Sequence, residues 1–300
     1  MFYKQILIDK QKRVFVHKKL DDSSFGYLLP KESISSTLDL FKFSTVSGFG
    51  VDDLTLKIIK DFSVPKLDLS KLLDFSSNNK EHQLIPIDSP EVWAFGVTYL
   101  DSMRERQSES GTPDVYAQVY NSDRPEAFFK ATKNRIQSNF DEVGIRGDST
   151  WDVPEPELAF MIINKKIVAY TIGNDMSSRS IEGANPLYLP QAKVYDKSLS
   201  IGPCLVPAEN IKDPQSLSVS LKIYRSDNIV FEGNTNTSRM KRNCEYLSEW
   251  LQRHNYVPDG TLVLTGTGII PPTEFSLKEL DKIEISIDDI GTLSNIVVKV

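Results

Sequence analysis

Two glutamates separated by a single proline, Glu155 and Glu157 in "VPEPELAFMI", stand at the mouth of an apolar run. In an extended strand, residues two apart share a face, so both carboxylates project to the same side. Like charges this close raise each other's pKa unless a cation or several hydrogen-bond donors hold them ionised. The pair therefore calls for positive charge nearby. The histidines, His17, His82 and His254, are scattered far from this pair in the chain. A metal held at the two glutamates would then have oxygen ligands, which favours Mg²⁺, Mn²⁺ or Ca²⁺ over zinc or copper.

The residues that follow, "ELAFMIINKKIVAYTIGND", read as two strands joined by a tight turn at Asn164 to Lys166. With a three-residue turn centred on Lys165, facing positions total 330, which places Asp175 opposite Glu155 and gathers three carboxylates at one end of the hairpin. A two-residue turn would shift the register and point Asp175 away. The geometry is conditional on that turn.

The elements that must position these groups are mostly strands. Short strand-like runs ("KQILID", "RVFVHK") and an amphipathic stretch near "VDDLTLKIIKDF" occupy the first 70 or so residues, and the polar "DFSSNNKEHQ", residues 74–83, is a candidate linker. The linker divides the chain into a small domain, 1–84, and a larger one, 85–300. In the second, "EVWAFGVTYL", "SLSVSLKIYR", "NIVFEG", "GTLVLTGTG" and "KIEISIDDIGTLSNIVVKV" are β-prone. A helix is expected at "KRNCEYLSEWLQRHN", where Tyr246 with Trp250 and Leu247 with Leu251 are four apart. No internal repeat is apparent.

Composition narrows the function classes. With 40% hydrophobic and 25% charged residues, 300 residues can bury a sizeable core. A formal net charge of −6, from 35 basic and 41 acidic residues, argues against a nucleic-acid partner, whose binding rests on phosphate neutralisation. No apolar stretch approaches the roughly 20 residues that span a bilayer, so no membrane role is expected. Two cysteines, Cys204 and Cys244, make no disulfide framework, and the N-terminus lacks the apolar core of a signal peptide. A reducing cytoplasm is the simplest compartment.

From Trp93 onward, roughly two thirds of the chain resembles the fumarylacetoacetate hydrolase superfamily. The resemblance rests on an ordered set: "EPELAF" with Glu155 and Glu157, "GNDMSSRS" with Asp175, "QAKVYDKSLSIGPCLVP" with Lys193, then "LTGTGI" and "IDDIGTLSN". It implies an α+β, mostly β architecture, with a small N-terminal α+β domain followed by a mixed β-sandwich roll, in homodimers or homotetramers. It also implies that Glu155, Glu157 and Asp175 bind Mg²⁺ or Mn²⁺.

Hydrolytic members carry a histidine and, three residues later, a glutamate after a "G-x-N-Y" segment. Here "GVTYLDSMRERQSES" has Ser102 and Glu105 at those places, and a serine is no base by itself. The same stretch, with "SDRPEAFFKATKNR" and "EGANPLYLPQAKVYDKS", is more similar to the 2-keto-3-deoxy-D-arabinonate dehydratase branch. That likeness implies a small 2-keto acid substrate and places Glu126 and Lys193 in the active site; the sequence leaves open which is base and which acid, and the chemistry favours Lys193, its pKa lowered beside a divalent cation, as base with Glu126 assisting water departure. Arg104, Arg106, Lys130, Gln191 and Thr267 are the candidate substrate-binding residues. The chain departs from the expected pattern at Ser180 and at Ser138, Asn139 and Phe140, a loop able to reshape the pocket. The competing readings are a metal-dependent acylpyruvate hydrolase or β-keto-acid decarboxylase, and a metal-binding protein without catalysis.

Overall fold

The strand that carries the two glutamates, Pro156–Ile163, is buried along its whole length. Leu158, Phe160 and Ile162 enter one core, and Ala159, Met161 and Ile163 enter another on the opposite face. Burial on both faces explains why this segment reads as a continuous apolar run instead of an alternating one. The computed structural model describes residues 1–18, 25–68, 81–109 and 113–300.

Twelve strands form one mixed sheet. Along its path, Lys66–Asp68, Phe25–Leu28, Gln11–His17 and Phe2–Ile8 lead to Leu199–Pro207, Lys166–Asp175, Pro156–Ile163, Thr261–Leu264, Glu91–Gly96 and Glu126–Thr132. The strand His82–Leu84 pairs with Phe2–Ile8 and contains the last residues of the candidate linker, whose residues 74–80 lie outside the described residues. A second sheet of five strands, Asn228–Asn236, Ser218–Arg225, Lys282–Ile287, Gly291–Lys299 and Glu142–Ile145, packs on one face of the first. Phe160, Ile172 and Cys204 meet Leu221, Ile285 and Leu293 between the sheets. On the other face Leu40 and Phe41 of the helix Thr37–Ser47, and Val51, Leu54 and Ile58 of the helix Val51–Asp61, cover the strands. The amphipathic stretch near "VDDLTLKIIKDF" is thus the helix Val51–Asp61. The helix Cys244–Gln252 also forms, capped by the Asn243 side chain, with Leu247 and Leu251 buried. The molecule is α+β and mostly β. Among the described residues no helix is long and apolar enough to cross a membrane.

The hairpin differs from its expected form in an informative way. Its turn has two residues, Asn164 and Lys165, both at positive φ (47° and 63°), with Ile163 paired to Lys166. This is the left-handed two-residue turn that suits the twist of paired strands. A two-residue turn alone would have sent Asp175 to the wrong face. One extra residue on the returning strand, Val168, restores the register: Ile162 pairs with Ile167, but Met161 pairs with Ala169. From there outward the pairs total 330, as Glu157 with Gly173 does. Glu155 and Asp175 exchange both backbone hydrogen bonds, at 3.2 and 3.0 Å. A β-bulge therefore sets the site.

Candidate active site

At the open end of this hairpin Glu155, Glu157 and Asp175 are all buried and present carboxylate oxygens within 4.8 Å of one another. The Glu157 Oε2 accepts a hydrogen bond from the Gly266 amide at 2.6 Å. Gly266 is at φ +87°, and a Cβ there would lie 2.1 Å from the Thr98 hydroxyl and 2.9 Å from the Phe95 carbonyl. Only glycine lets the "LTGTG" loop lie flush enough to make that bond.

Lys193, at the end of the helix Leu189–Lys193, reaches between the carboxylates. Its ammonium donates to Glu155 Oε2 at 2.7 Å, Asp175 Oδ2 at 3.2 Å and the Ser177 hydroxyl at 2.6 Å. Glu155 Oε1 also receives Arg106 at 2.6 Å and Arg179 at 3.3 Å. Arg106 in turn pairs with Glu182. Sequence reasoning missed Glu182 and Arg179, although both lie in quoted motifs and, three apart in the helix Arg179–Ala184, share a side of it.

The charges explain the protonation pattern. Burial pushes Glu155 up, but Lys193, Arg106 and Arg179 outweigh it and hold its carboxyl below the usual range. Burial together with Asp175 and Glu155 drives Glu157 well above that range. Burial also pushes the Lys193 ammonium down, yet Asp175, Glu155 and Glu182 overcome it and raise the pKa. The lowering expected of Lys193 is therefore absent from the protein's own charge set. Since Lys193 leaves Glu157 uncompensated, three buried oxygen donors with an excess of negative charge fit a hard divalent cation, Mg²⁺ or Mn²⁺.

Glu126 begins the strand Glu126–Thr132 and lines the same small enclosed cavity, with Phe95, Val97, Ser102, Phe128, Leu189 and Thr267 in the wall. Burial, reinforced by Glu182, pushes its carboxyl up to about 7, against the pull of Arg106 and Lys193. It lies over Gly96, its register partner, so closely that a Cβ there would be 2.1 Å from Glu126 Oε2. Gly96→Ala is accordingly expected to displace the carboxyl and lower kcat by about ten- to a hundredfold. Steady-state kinetics at saturating substrate checks this; an unchanged kcat would mean that the carboxyl's seat over Gly96 does not matter.

Comparison with known proteins places this arrangement. The family model described as "Fumarylacetoacetate (FAA) hydrolase C-terminal" matches residues 91–298. The chain belongs to the fumarylacetoacetate hydrolase family. It is 42% identical over 300 residues, all of both chains, to the "Probable 2-keto-3-deoxyxylonate dehydratase" of Haloferax volcanii. It is 44% identical over 236 residues, 77% of this chain and 79% of the other, to the "2-dehydro-3-deoxy-D-arabinonate dehydratase" of Saccharolobus solfataricus. A solved "2-keto-3-deoxy-D-arabinonate dehydratase complexed with magnesium and 2,5-dioxopentanoate" superposes with a TM-score of 0.84 at 34% identity, covering 100% of this chain and 99% of that one.

Within this family member, the residues named from sequence fall into distinct places. Glu126, Lys193, Arg106 and Thr267 line the cavity with the three carboxylates. Arg106 is already engaged by Glu155 and Glu182, and the Thr267 hydroxyl is bonded within its own turn to Ile269. Ser102 lines the wall, while Glu105 is absent from it, so the pair that would activate water in a hydrolase is not assembled. Arg104 is exposed on the helix Leu100–Glu109. Gln191 is exposed too, its carbonyl accepting from Arg146. Lys130 is fully buried behind Asp175 and is not part of the wall.

Neither departure from the family pattern reaches the cavity. The Ser180 hydroxyl bonds Ser149 and the Thr150 amide. In the other, Asn139 accepts from the Ser294 amide and Phe140 donates to the Ser294 carbonyl, tying the loop to the five-stranded sheet. The loop braces the fold instead of reshaping the pocket.

Proposed function

We propose that this chain is a Mg²⁺-dependent dehydratase that converts 2-keto-3-deoxy-D-arabinonate to 2,5-dioxopentanoate and water. The observation that carries the reading is one buried cavity holding the triad Glu155, Glu157 and Asp175, Lys193 between them and Glu126 across from them, with no histidine in its wall among the described residues. Mn²⁺ suits the same oxygen ligands. The relatives named as dehydratases, and the magnesium and product complex of one of them, support the same assignment.

Glu155, Glu157 and Asp175 would hold the cation, which would supply Lewis acidity to a 2-keto group and positive charge against the carboxylates that keep Lys193 protonated. Lys193 Nζ then accepts a C3 proton of the substrate. Glu126, whose carboxyl burial pushes up to about 7, gives its proton to the hydroxyl leaving C4. Ser177 and Glu155 orient Lys193, and Gly96 seats Glu126. The elimination leaves a C3–C4 enone whose C5 still bears its hydroxyl; the Glu126 carboxylate then takes a C5 proton and Lys193 returns its proton to C3, giving the C4–C5 enol, which tautomerises to the aldehyde. Arg106 and Thr267 are the wall groups placed to meet substrate oxygens, whereas Arg104 and Gln191 would need rearrangement to do so.

The domain division at residue 84 and residence in the cytoplasm as a homodimer or homotetramer complete the reading. Support for the division is that, among the described residues, a single register pair, Tyr3 with Leu205, joins the N-terminal strands to the catalytic hairpin's neighbour in the sheet.

The test is incubation of metal-stripped protein with 2-keto-3-deoxy-D-arabinonate, with and without Mg²⁺, following products by mass. Loss of one water only in the presence of Mg²⁺ is expected. Cleavage of an acylpyruvate or release of CO₂ from a β-keto acid, with no dehydration, would transfer the chain to a hydrolase or decarboxylase reading.

A further inference from the structure

The family resemblance places Lys130 among the substrate contacts, and its position suggests something else. It lies on the strand Glu126–Thr132, four residues beyond Glu126, at the β-bulge where Phe129 pairs with Trp93 and Ala131 with Val92 and Lys130 is the extra residue. Glu126 turns into the cavity, while Lys130 is 0% exposed and runs beneath it. The Lys130 ammonium makes three contacts. It pairs with Asp175 Oδ1 at 2.5 Å, donates to the Met176 carbonyl at 3.0 Å, and donates to the carbonyl of Lys193. The Tyr195 ring closes over it, 6.0 Å away.

Each of these three oxygens is an acceptor, the two carbonyls through hydrogen bonds and Asp175 Oδ1 through an ion pair. Two of those acceptors are the ends of the active centre: Asp175, a member of the triad, and the main chain of Lys193. Asp175 is thus gripped by two ammonium groups on different oxygens, Lys130 on Oδ1 and Lys193 on Oδ2. Lys193 lines the cavity and Lys130 does not, so Oδ2, the oxygen paired with Lys193, is the one on the side of the site. The carbonyl bond meanwhile fixes the C-terminal end of the five-residue helix Leu189–Lys193, which by itself is too short to hold a side chain in place.

We infer that Lys130 is a positioning residue that commits Asp175 to a metal through Oδ2 alone and sets the distance between that oxygen and Lys193 Nζ. It does so without touching substrate. The inference rests on the metal assignment above.

Lys130→Met keeps the length and removes the ammonium. Mg²⁺ titrated calorimetrically into metal-stripped protein is expected to bind about 10- to 100-fold more weakly than to wild type, with kcat lowered and KM little changed, as for other residues that orient metal ligands. Lys130→Arg keeps a charge on Asp175 but presents a planar fork that cannot reach three divergent acceptors. It is expected to recover most of the Mg²⁺ affinity and little of the kcat. Lys130→Met with wild-type Mg²⁺ affinity and a raised KM would overturn the inference and make Lys130 a substrate contact. If Lys130→Met does not fold, Lys130→Arg decides: wild-type kcat overturns the inference, and a lowered kcat at unchanged KM sustains it. Failure of the wild type itself to bind Mg²⁺ would instead overturn the metal assignment.

Discussion

Lys193→Met is expected to lose about 10²–10⁴-fold in kcat, the range for removing a positioned acid or base, and to become markedly less stable unless Mg²⁺ is added. The two effects share one cause. The Lys193 ammonium lies between Glu155 and Asp175, with Glu182 also acting on it, and is buried. Removing it leaves Glu155 Oε2 and Asp175 Oδ2 without their shared ammonium, with only Arg106, Arg179 and Lys130 on the other oxygens, and losing one partner of a buried pair costs about 3–5 kcal/mol. Because its pKa is raised by folding, the stabilisation is complete below the unfolded value of about 10.4 and fades only as pH rises through the folded value. The full loss is therefore present at pH 7. A divalent cation at the triad supplies the missing charge, so Mg²⁺ is expected to raise the melting temperature of the variant more than that of the wild type. Thermal melts with and without Mg²⁺, alongside kinetics, check both parts. A variant with near-full activity would remove Lys193 from the mechanism.

Glu126→Gln is the second large effect, and its two consequences have opposite signs. Turnover is expected to fall by about 10²–10⁴-fold, because an amide cannot deliver a proton to the departing hydroxyl. Stability at alkaline pH is expected to rise. Burial raises this carboxyl from 4.5 to about 7, so folding disfavours its ionised form. The stability that the protonated carboxyl retains at low pH is lost progressively as pH climbs from the unfolded value through about 7. A shift of that size corresponds to roughly 3 kcal/mol. Glutamine carries no such penalty. The variant should match the wild type near pH 4 and exceed it at pH 8, and the wild type's decline in kcat above pH 7 should vanish from its residual activity. Denaturant unfolding at the two pH values is the measurement. Equal stability differences at both would show that Glu126 is not held neutral by the fold.

The two predictions treat residues that differ in how visible they are beforehand. Glu155 and Glu157 were legible because a strand has period two and like charges crowd on one face, a local rule that holds in any fold. The need for positive charge beside them followed from the same arithmetic. The apolar runs, the amphipathic stretch that becomes the helix Val51–Asp61 and the capped helix beginning at Cys244 were likewise local, set by spacing and by Asn243. The ordered motifs from Trp93 onward carried the family, and with it Lys193 and Glu126.

What tertiary structure decided was register and direction. Whether Asp175 faces Glu155 depended on a turn of two residues and a compensating bulge at Val168, each invisible in a string where Asn164, Lys165 and Lys166 suit several turns. Glu182 and Arg179 joined the site only because the 179–184 helix folds back over Glu155. Lys130 and Gln191 sit in motifs as specific as those of Glu126 and Lys193, yet one points beneath the cavity and the other out to solvent. By itself the sequence determined which charges and strand faces exist, because those depend on neighbours in the chain. The distances between those charges, and hence which carboxylate is ionised and which lysine reaches the cavity, depend on packing between residues far apart in it.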